Sequence, residues 1–180
     1  MAKQKLSKSD LLKKMGDHML SHGVNTASLR PLAKAAETSD RMLIYHFGSK
    51  DALVAEVLQH LAVEYAGLLD QSLPAEPATA CGPLLRDIIG RLRAPELRGY
   101  IHIWLDLVSA SAQGNSDHVD TGHKVAAFFI EWIKQRLPRD IPDPDATAML
   151  MLTLIEGTHA LDSVGQSAIA DQAIAAAFPD

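Results

Sequence analysis

Three adjacent residues, Ser39, Asp40 and Arg41, have side chains suited to hydrogen bonding with nucleic-acid bases. A guanidinium such as that of Arg41 donates two parallel hydrogen bonds to guanine O6 and N7, a pairing worth about 1–3 kcal/mol of discrimination. Asp40 has two interpretations. It accepts a hydrogen bond from cytosine N4, or it stabilises a helix start through the helix dipole, and the second is favoured. Base recognition requires that these residues begin a helix that enters the major groove.

The surrounding segment 28–50, SLRPLAKAAETSDRMLIYHFGSK, has the pattern of two short helices joined by a tight break. The first helix is predicted over about 28–36 from the spacing of its apolar residues, and Glu37-Thr38 forms the break. Ser39 supplies an N-cap oxygen for the second helix. Ala33 is small where the two helices must cross closely. The pattern is that of a helix-turn-helix, whose second helix lies in the major groove of DNA.

The distribution of charge along the chain agrees with this interpretation. Residues 1–50 contain nine Lys or Arg and four Asp or Glu, a net charge of +5. The whole chain carries −5, so residues 51–180 carry −10. A basic head joined to an acidic body is typical of a DNA-binding module fused to a module that does not bind DNA.

Three motifs carry a family resemblance: Gly23, Ser28-Leu29-Arg30, and the stretch 43–50, LIYHFGSK. They resemble the motifs of TetR-family transcriptional regulators over about 9–58, and the His-Phe-x-Ser-Lys exit is the most specific of them. The resemblance implies an all-α fold, with an N-terminal three-helix DNA-binding domain at 1–50 and a C-terminal helical bundle at 51–180. That bundle would serve ligand binding and dimerisation.

Two residues depart from the family pattern. The turn of the helix-turn-helix, where the family often has Gly, contains Glu37. Glu disfavours positive φ, so the turn either avoids that region or carries strain. The Tyr that usually follows Leu43 and contacts phosphate is Ile44, so one backbone contact is either missing or supplied by Tyr45.

The rest of the chain also has helical character. Ala and Leu are abundant, and no alternating strand segment stands out. Seven further helices are therefore predicted, which makes nine in all: 9–22, 49–73, 83–93, 96–112, 117–137, 144–163 and 167–177.

Side-chain chemistry together with the resemblance predicts the residues that contact DNA: Ser28, Arg30, Lys34, Ser39, Asp40, Arg41, Tyr45, His46 and Lys50. Lys50 is expected to contact phosphate, with a solvated surface lysine as the alternative. His46 faces the backbone or braces the start of the fourth helix. Leu32, Leu43 and Phe47 are expected in the core.

The expected partner is a double-stranded, palindromic operator, because one small head reads too few base pairs for useful specificity. Residues 148–155 (AMLMLTLI) are apolar nearly all round, which indicates burial on more than one side. By resemblance, helices 144–163 and 167–177 form a homodimer interface. The alternative is that both helices serve only the core of the monomer.

The body contains residues that suit a small-molecule effector of unknown identity. The candidates are His102, Trp104, Phe128, Trp132, Met149, Thr153, Glu156 and His159. Taken alone, an aromatic or Met residue at helical spacing belongs to the hydrophobic core more often than to the wall of a ligand pocket. Glu156 and His159 are three apart, so they either pair with each other or anchor a ligand.

Other classes of function have less support. No hydrolase, metalloprotease, phosphate-loop or Cys-x-x-Cys motif is present, so neither an enzyme nor a cofactor is expected. His118 and His123 are five apart, which does not suit a helical metal site. The single Cys81, the lack of a signal peptide and the lack of an apolar run long enough for a bilayer predict a cytoplasmic protein. The remaining alternative is a protein of the same fold that acts through protein contacts or small-molecule binding without operator recognition.

Overall fold

The structure is a computed structural model that describes residues 7–24 and 27–179. These residues form nine α-helices and no strand, so the all-α prediction is confirmed for the described part of the chain. The helices are α1 (Lys8–His22), α2 (Leu29–Ala35), α3 (Asp40–Phe47), α4 (Lys50–Asp70), α5 (Cys81–Leu92), α6 (Arg98–Ala112), α7 (Ser116–Lys134), α8 (Pro144–Ser163) and α9 (Ser167–Ala177).

Helix α1 begins one residue before the predicted start because its N-terminus is capped. The Ser7 hydroxyl accepts a hydrogen bond from the Asp10 amide at 3.1 Å, and the Asp10 carboxylate accepts one from the Ser7 amide at 2.9 Å. This reciprocal arrangement is a capping box, which satisfies two amides that lack partners within the helix. Asp143 caps α8 through the Ala146 amide at 2.9 Å, with Pro144 in the first turn.

Three predicted helix ends are wrong by a few residues. Helix α4 ends at Asp70 and not near Leu73, because the Leu69 carbonyl accepts from the amides of both Ser72 and Leu73 in a tight turn. Helix α7 ends at Lys134 and not at 137, because the Arg136 and Leu137 amides donate to the Ile133 and Lys134 carbonyls in turns three residues long. A short 3₁₀ helix, Pro95–Leu97, precedes α6 where one continuous helix was predicted.

The described residues divide into two compact units by their packing, and the first comprises 7–64 together with 99–124. Its core is one apolar cluster to which α1, α2, α3, α4 and α6 all contribute. Leu32, Leu43 and Phe47 are buried there, which confirms their predicted core position. Helices α1 and α4 cross closely at Gly16, where an added Cβ would lie 2.9 Å from Leu61 Cδ2.

The second unit comprises 65–98 and 125–179 of the described chain. Its core includes Leu85 and Ile88 of α5, Met151 of α8 and Ile174 of α9. Arg93, just after α5, forms two hydrogen bonds with Asp162 at 2.8 and 3.1 Å. It also pairs with Asp171 of α9 at 2.9 Å. One guanidinium therefore joins the ends of α5 and α8 to the middle of α9.

Helix α4 is long and apolar enough to cross a membrane by length and composition, although no such run was expected from the sequence. Its apolar residues Leu53, Val57 and Leu61 are buried in the core of the first unit. Its charged residues Glu56 and Glu64 form ion pairs with lysines of α1. Packing against other helices therefore accounts for its composition.

Candidate nucleic-acid interface

The recognition helix α3 begins at a capped residue, as predicted. Ser39 has extended backbone angles, and its hydroxyl accepts a hydrogen bond from the Met42 amide at 3.3 Å. Ser49 does the same for α4, where its hydroxyl accepts from the Ala52 amide at 3.0 Å. Both caps satisfy amides that have no partner at the start of a helix. The Ser39 cap fixes where α3 begins, and the Ser49 cap fixes where α4 begins.

The turn between α2 and α3 does not avoid positive φ, and it therefore has the strained conformation. Glu37 has φ of 52°, the one positive value at a residue other than Gly in the described chain. The Thr38 amide donates to the Ala33 carbonyl at 2.9 Å, and the Glu37 amide donates to the Lys34 carbonyl at 3.2 Å. These two bonds form a Schellman motif, which requires a left-handed residue where Glu37 lies. The turn geometry of a helix-turn-helix is thus kept without Gly.

The side chain of the strained residue Glu37 forms an ion pair. Lys14 of α1 lies 2.6 Å from the Glu37 carboxylate. Sequence reasoning did not identify this pair, because 23 positions separate the two residues and no local spacing connects them.

The two faces of α3 differ sharply in exposure. Leu43 and Phe47 face the core, whereas Asp40, Arg41 and Tyr45 are exposed. The Tyr45 side chain is the most exposed large apolar residue in the described chain, at 78%. His46 is half-buried, and its ring meets that of Tyr45 edge-on with 5.4 Å between centroids. Position 44 is Ile, so Tyr45 is the aromatic side chain that this face presents.

The basic residues of the head divide into two groups by their partners. In the described residues, Lys8 pairs with Glu56, Lys13 lies 3.8 Å from Asp17 and 3.9 Å from Glu64, and Lys14 pairs with Glu37. Lys3 and Lys5, which contribute to the predicted basic head, lie outside the described residues. The ion pairs of α1 neutralise its described lysines within the fold.

The second group of basic residues comprises Arg30, Lys34, Arg41 and Lys50. All four are exposed, and none has an ion-pair or hydrogen-bond partner within 7–24 and 27–179. Arg30 and Lys34 lie one turn apart on α2, Arg41 is in the first turn of α3, and Lys50 begins α4. These are the four cations that the sequence predicted as DNA contacts. Ser28, also predicted, occupies the N-cap position of α2 but makes no capping hydrogen bond through its side chain.

The predicted effector residues fall in both units. His102 and Trp104 lie on α6 in the first unit, where His102 is exposed and Trp104 packs against the apolar cluster. Met149 and Thr153 lie on the exposed side of α8 in the second unit. The Thr153 hydroxyl donates to the Met149 carbonyl at 2.8 Å. Neither Met149 nor Thr153 is thus enclosed by its own unit.

The remaining predicted effector residues form two groups in the second unit. Phe128, Phe129 and Trp132 of α7 form a chain of edge-on ring contacts that also includes Tyr65. The Trp132 indole donates to Asp70 at 3.0 Å. The sequence did not indicate that Arg136 would stack on Trp132 at 3.9 Å from the ring centre and pair with Asp70.

Glu156 and His159 lie close together on α8, with 3.9 Å between a carboxylate oxygen and His159 Nδ1. The His159 side chain is buried, at 6% exposure, and neither ring nitrogen has a hydrogen-bond partner in the described residues. Burial and the charge of Glu156 raise the pKa of the Tyr65 phenol above its usual value. This side of α8 is thus polar within an apolar surrounding.

Metal and thiol chemistry have no support in the described part of the chain. No group of three potential metal ligands occurs there, including around His118, Asp120 and His123. Burial raises the pKa of the Cys81 thiol, which disfavours the reactive thiolate.

The fold and this surface define a helix-turn-helix protein with a helical body. The family model described as bacterial regulatory proteins, tetR family, matches residues 19–57, which include α2, α3 and the start of α4. The resemblance to TetR-family regulators is thereby confirmed, and the chain has the fold of these DNA-binding regulators. No curated protein matches the chain by sequence.

Several solved structures share the fold along nearly the whole chain. A transcriptional regulator from Rhodococcus sp. Rha1 has a TM-score of 0.67 and 20% identity, covering 94% of this chain and 92% of its own. A TetR transcriptional regulator from Legionella pneumophila has a TM-score of 0.64 and 18% identity, covering 96% and 99%. The multidrug binding protein EbrR, complexed with imidazole, has a TM-score of 0.67 and 15% identity, covering 98% and 97%.

Proposed function

We propose that this protein is a sequence-specific transcriptional repressor that binds a palindromic operator as a homodimer and responds to a small molecule. The observation that carries the proposal is the division of cations in the head. The described lysines of α1 are neutralised by carboxylates, while Arg30, Lys34, Arg41 and Lys50 are exposed around the recognition helix without acidic partners among the described residues. Unpaired, exposed cations are available to replace the counterions of DNA phosphates.

Each residue of the head has a proposed role. Arg41 reads guanine in the major groove from the first turn of α3. Asp40 stabilises the helix start, and Ser39 caps it. The other predicted residues hold the sugar-phosphate backbone and so fix the register of the head. These are Ser28, Arg30, Lys34, Tyr45, His46 and Lys50. In functional terms, the DNA-binding domain is 1–50, and 51–180 is the ligand-binding and dimerisation domain.

The dimer is proposed to form through α8 and α9. Met149, Thr153, Gly157, Ala160 and Val164 follow one another at helical spacing along one exposed side of α8. Met149 is 54% exposed and Val164 69%. Two heads joined in this way would reach half-sites about 34–36 Å apart, or a multiple of that distance.

The effector site is proposed for the second unit, with Phe128 and Trp132 as apolar contacts and Glu156 and His159 as polar ones. A buried histidine without hydrogen bonds is costly, and a polar ligand group would remove that cost. The similarity of fold to a multidrug binding protein supports a role in ligand binding. Such a ligand acts on DNA binding only if it favours one arrangement of the heads over another. A cytoplasmic location follows from this function.

The test is selection of bound sequences from a random DNA pool at two salt concentrations. The proposal expects a palindromic motif with fixed half-site spacing that persists at moderate salt. The matched control is the Arg41→Ala variant, which should lose enrichment at one base position of each half-site. No enrichment by the wild-type protein at either salt concentration, with or without candidate ligands, would contradict operator recognition. It would favour the alternative of a protein that acts without DNA.

A further inference from the structure

A concave groove of about 910 Å³ lies in the first unit beside the start of the recognition helix. His18 and His22 of α1 form one wall, Arg30 and Lys34 of α2 form another, and Asp40 lies at the start of α3. Two of these residues, Arg30 and Lys34, are proposed above as backbone contacts. The groove therefore continues the proposed DNA surface onto α1, a helix with no predicted DNA contact.

The two histidines form a stacked pair. Their ring centroids lie 4.2 Å apart, with 20° between the ring planes. His22 Nδ1 lies 2.9 Å from the His18 carbonyl oxygen. A carbonyl oxygen only accepts, so Nδ1 of His22 carries the proton and donates it.

A neutral His18 ring is favoured in the protein without DNA. Burial, followed by the neighbouring charge of His22, lowers the pKa of His18 below its usual value. Arg30 and Lys34 are the cations that line the groove, and Asp40 is the carboxylate among its lining residues. The nearby Asp17 of α1 is paired with Lys13 at 3.8 Å. The groove is thus positive, apart from the carboxylate of Asp40.

We propose that this groove binds a phosphate of the DNA backbone and that the His18–His22 pair takes up one proton when it does so. The inference rests on the proposed function, since the ligand is DNA. A phosphate between the two walls offers oxygen acceptors to Arg30, Lys34 and a protonated histidine. A nearby negative charge stabilises the protonated ring. One proton is expected and not two, because the two charged rings would repel each other at 4.2 Å.

This coupling makes DNA affinity depend on pH. Uptake of one proton raises affinity by up to about tenfold for each pH unit of acidification, over the range in which the free rings are neutral. It also adds a positive charge at the interface. The slope of log affinity against log salt should therefore become steeper by up to about 0.9 on going from pH 7.5 to pH 6.0.

The experiment measures duplex affinity at pH 6.0 and pH 7.5, at matched ionic strength, with the operator chosen by selection. The wild-type protein should bind about threefold to tenfold more tightly at pH 6.0. The His18→Gln/His22→Gln variant should lose most of this gain and bind as the wild type does at pH 7.5. His123→Gln is the control, because His123 is an exposed histidine of α7 to which no binding role is assigned, and it should retain the gain. Calorimetry in two buffers of different ionisation enthalpy should report about one proton taken up by the wild-type protein.

Titration of the labelled histidine rings by NMR gives a second readout that needs no substitution. The pKa of His18 or His22 should rise when the duplex is added. The inference is overturned if neither pKa rises, or if the double variant keeps the full pH dependence while still binding DNA. Absence of DNA binding by the wild-type protein at both pH values would instead contradict the proposed function. Loss of fold in the double variant leaves the NMR titration of the wild-type protein to decide.

Discussion

The recognition surface around α3 and the outer side of α8 both expose residues that a self-contained fold would normally neutralise or bury. Around α3 the exposed residues include the cations Arg41 and Lys50, which have no acidic partner among the described residues. On α8 they are apolar, and Met149 and Val164 are more than half exposed. Exposed cations suit a polyanion, whereas an apolar stripe suits a second protein surface. DNA is therefore the partner proposed for the first surface, and a second copy of the chain is the partner proposed for the other.

The two surfaces also differ in how the chain supports them. The head fixes α3 by two serine caps and a Schellman turn, which are short-range features. The α8–α9 region depends on Arg93, which reaches Asp162 and Asp171 from a distant part of the sequence. The caps and the turn that position α3 are therefore encoded locally, whereas α8 and α9 also depend on a contact from a distant part of the sequence.

The largest expected effect comes from breaking the apolar surface. Met149→Asp places a carboxylate in the proposed dimer interface without disturbing the core, because this side chain is 54% exposed. The variant should be monomeric in sedimentation. It should bind the operator about 100-fold more weakly, because a single head has little more than non-specific affinity. Val63→Asp, at a position 57% exposed on α4, is the matched control and should remain dimeric. A dimeric Met149→Asp protein with full operator affinity would refute this assignment.

The next effect separates base reading from charge on α3. Arg41→Ala should lose about 1–3 kcal/mol of discrimination at one base position of each half-site. Arg41→Lys keeps the charge but loses the two parallel hydrogen bonds, so it should bind more tightly than Arg41→Ala while remaining poorly selective. Affinities for operators mutated one base at a time check this. An equal loss across all sequences would show that Arg41 contacts only the backbone.

A smaller effect concerns the strained turn that positions the head. Glu37→Gly should stabilise the fold by about 0.5–1 kcal/mol, because Gly adopts the φ of 52° without a Cβ penalty. Glu37→Ala is the control, since it removes the exposed pair with Lys14 but keeps the Cβ. It should change stability little. Urea unfolding measures both variants, and equal stability of the two would argue against strain at Glu37.

The last prediction concerns the pH dependence of stability that arises from the pairing of Arg93 with Asp162. Burial alone would raise the pKa of Asp162, but hydrogen bonds from Arg93 and Ser167 outweigh it and hold this pKa below its usual value. Its contribution is therefore present above the unfolded pKa of about 3.9 and is lost as pH falls through the folded pKa. Asp162→Asn should lose about 0.5–1 kcal/mol at pH 7, and this deficit should shrink as pH falls through the folded pKa. A deficit that persists unchanged at pH 2 would exclude this pairing as its cause.

Local pattern predicted much of the molecule. The number and order of the helices, the caps at Ser39 and Ser49 and the buried Leu32 and Leu43 all follow from propensity, capping and apolar spacing, which act over a few residues. The helix ends near Leu73 and at 137 were missed, because turn hydrogen bonds ended both helices a few residues early.

The partners of charged residues were beyond sequence reasoning. Lys14 with Glu37, Arg93 with Asp162, and Arg136 with Asp70 are separated by 23, 69 and 66 positions. Only folding brings them together. The unpaired state of Arg30, Lys34, Arg41 and Lys50 among the described residues therefore could not be derived beforehand. His18 and His22, four apart on one helix, did offer a local signal through their spacing.

The most direct test of the central claim compares the salt dependence of operator binding for Lys50→Ala and Lys13→Ala. Lys50 is unpaired in the described structure, whereas Lys13 lies near Asp17 and Glu64. The account predicts that Lys50→Ala weakens binding to all sequences alike and reduces the salt slope by about 0.9, while Lys13→Ala leaves the slope unchanged. Equal slopes for Lys50→Ala and the wild type, or a reduced slope for Lys13→Ala alone, would contradict the claim that the unpaired cations are the DNA-binding surface.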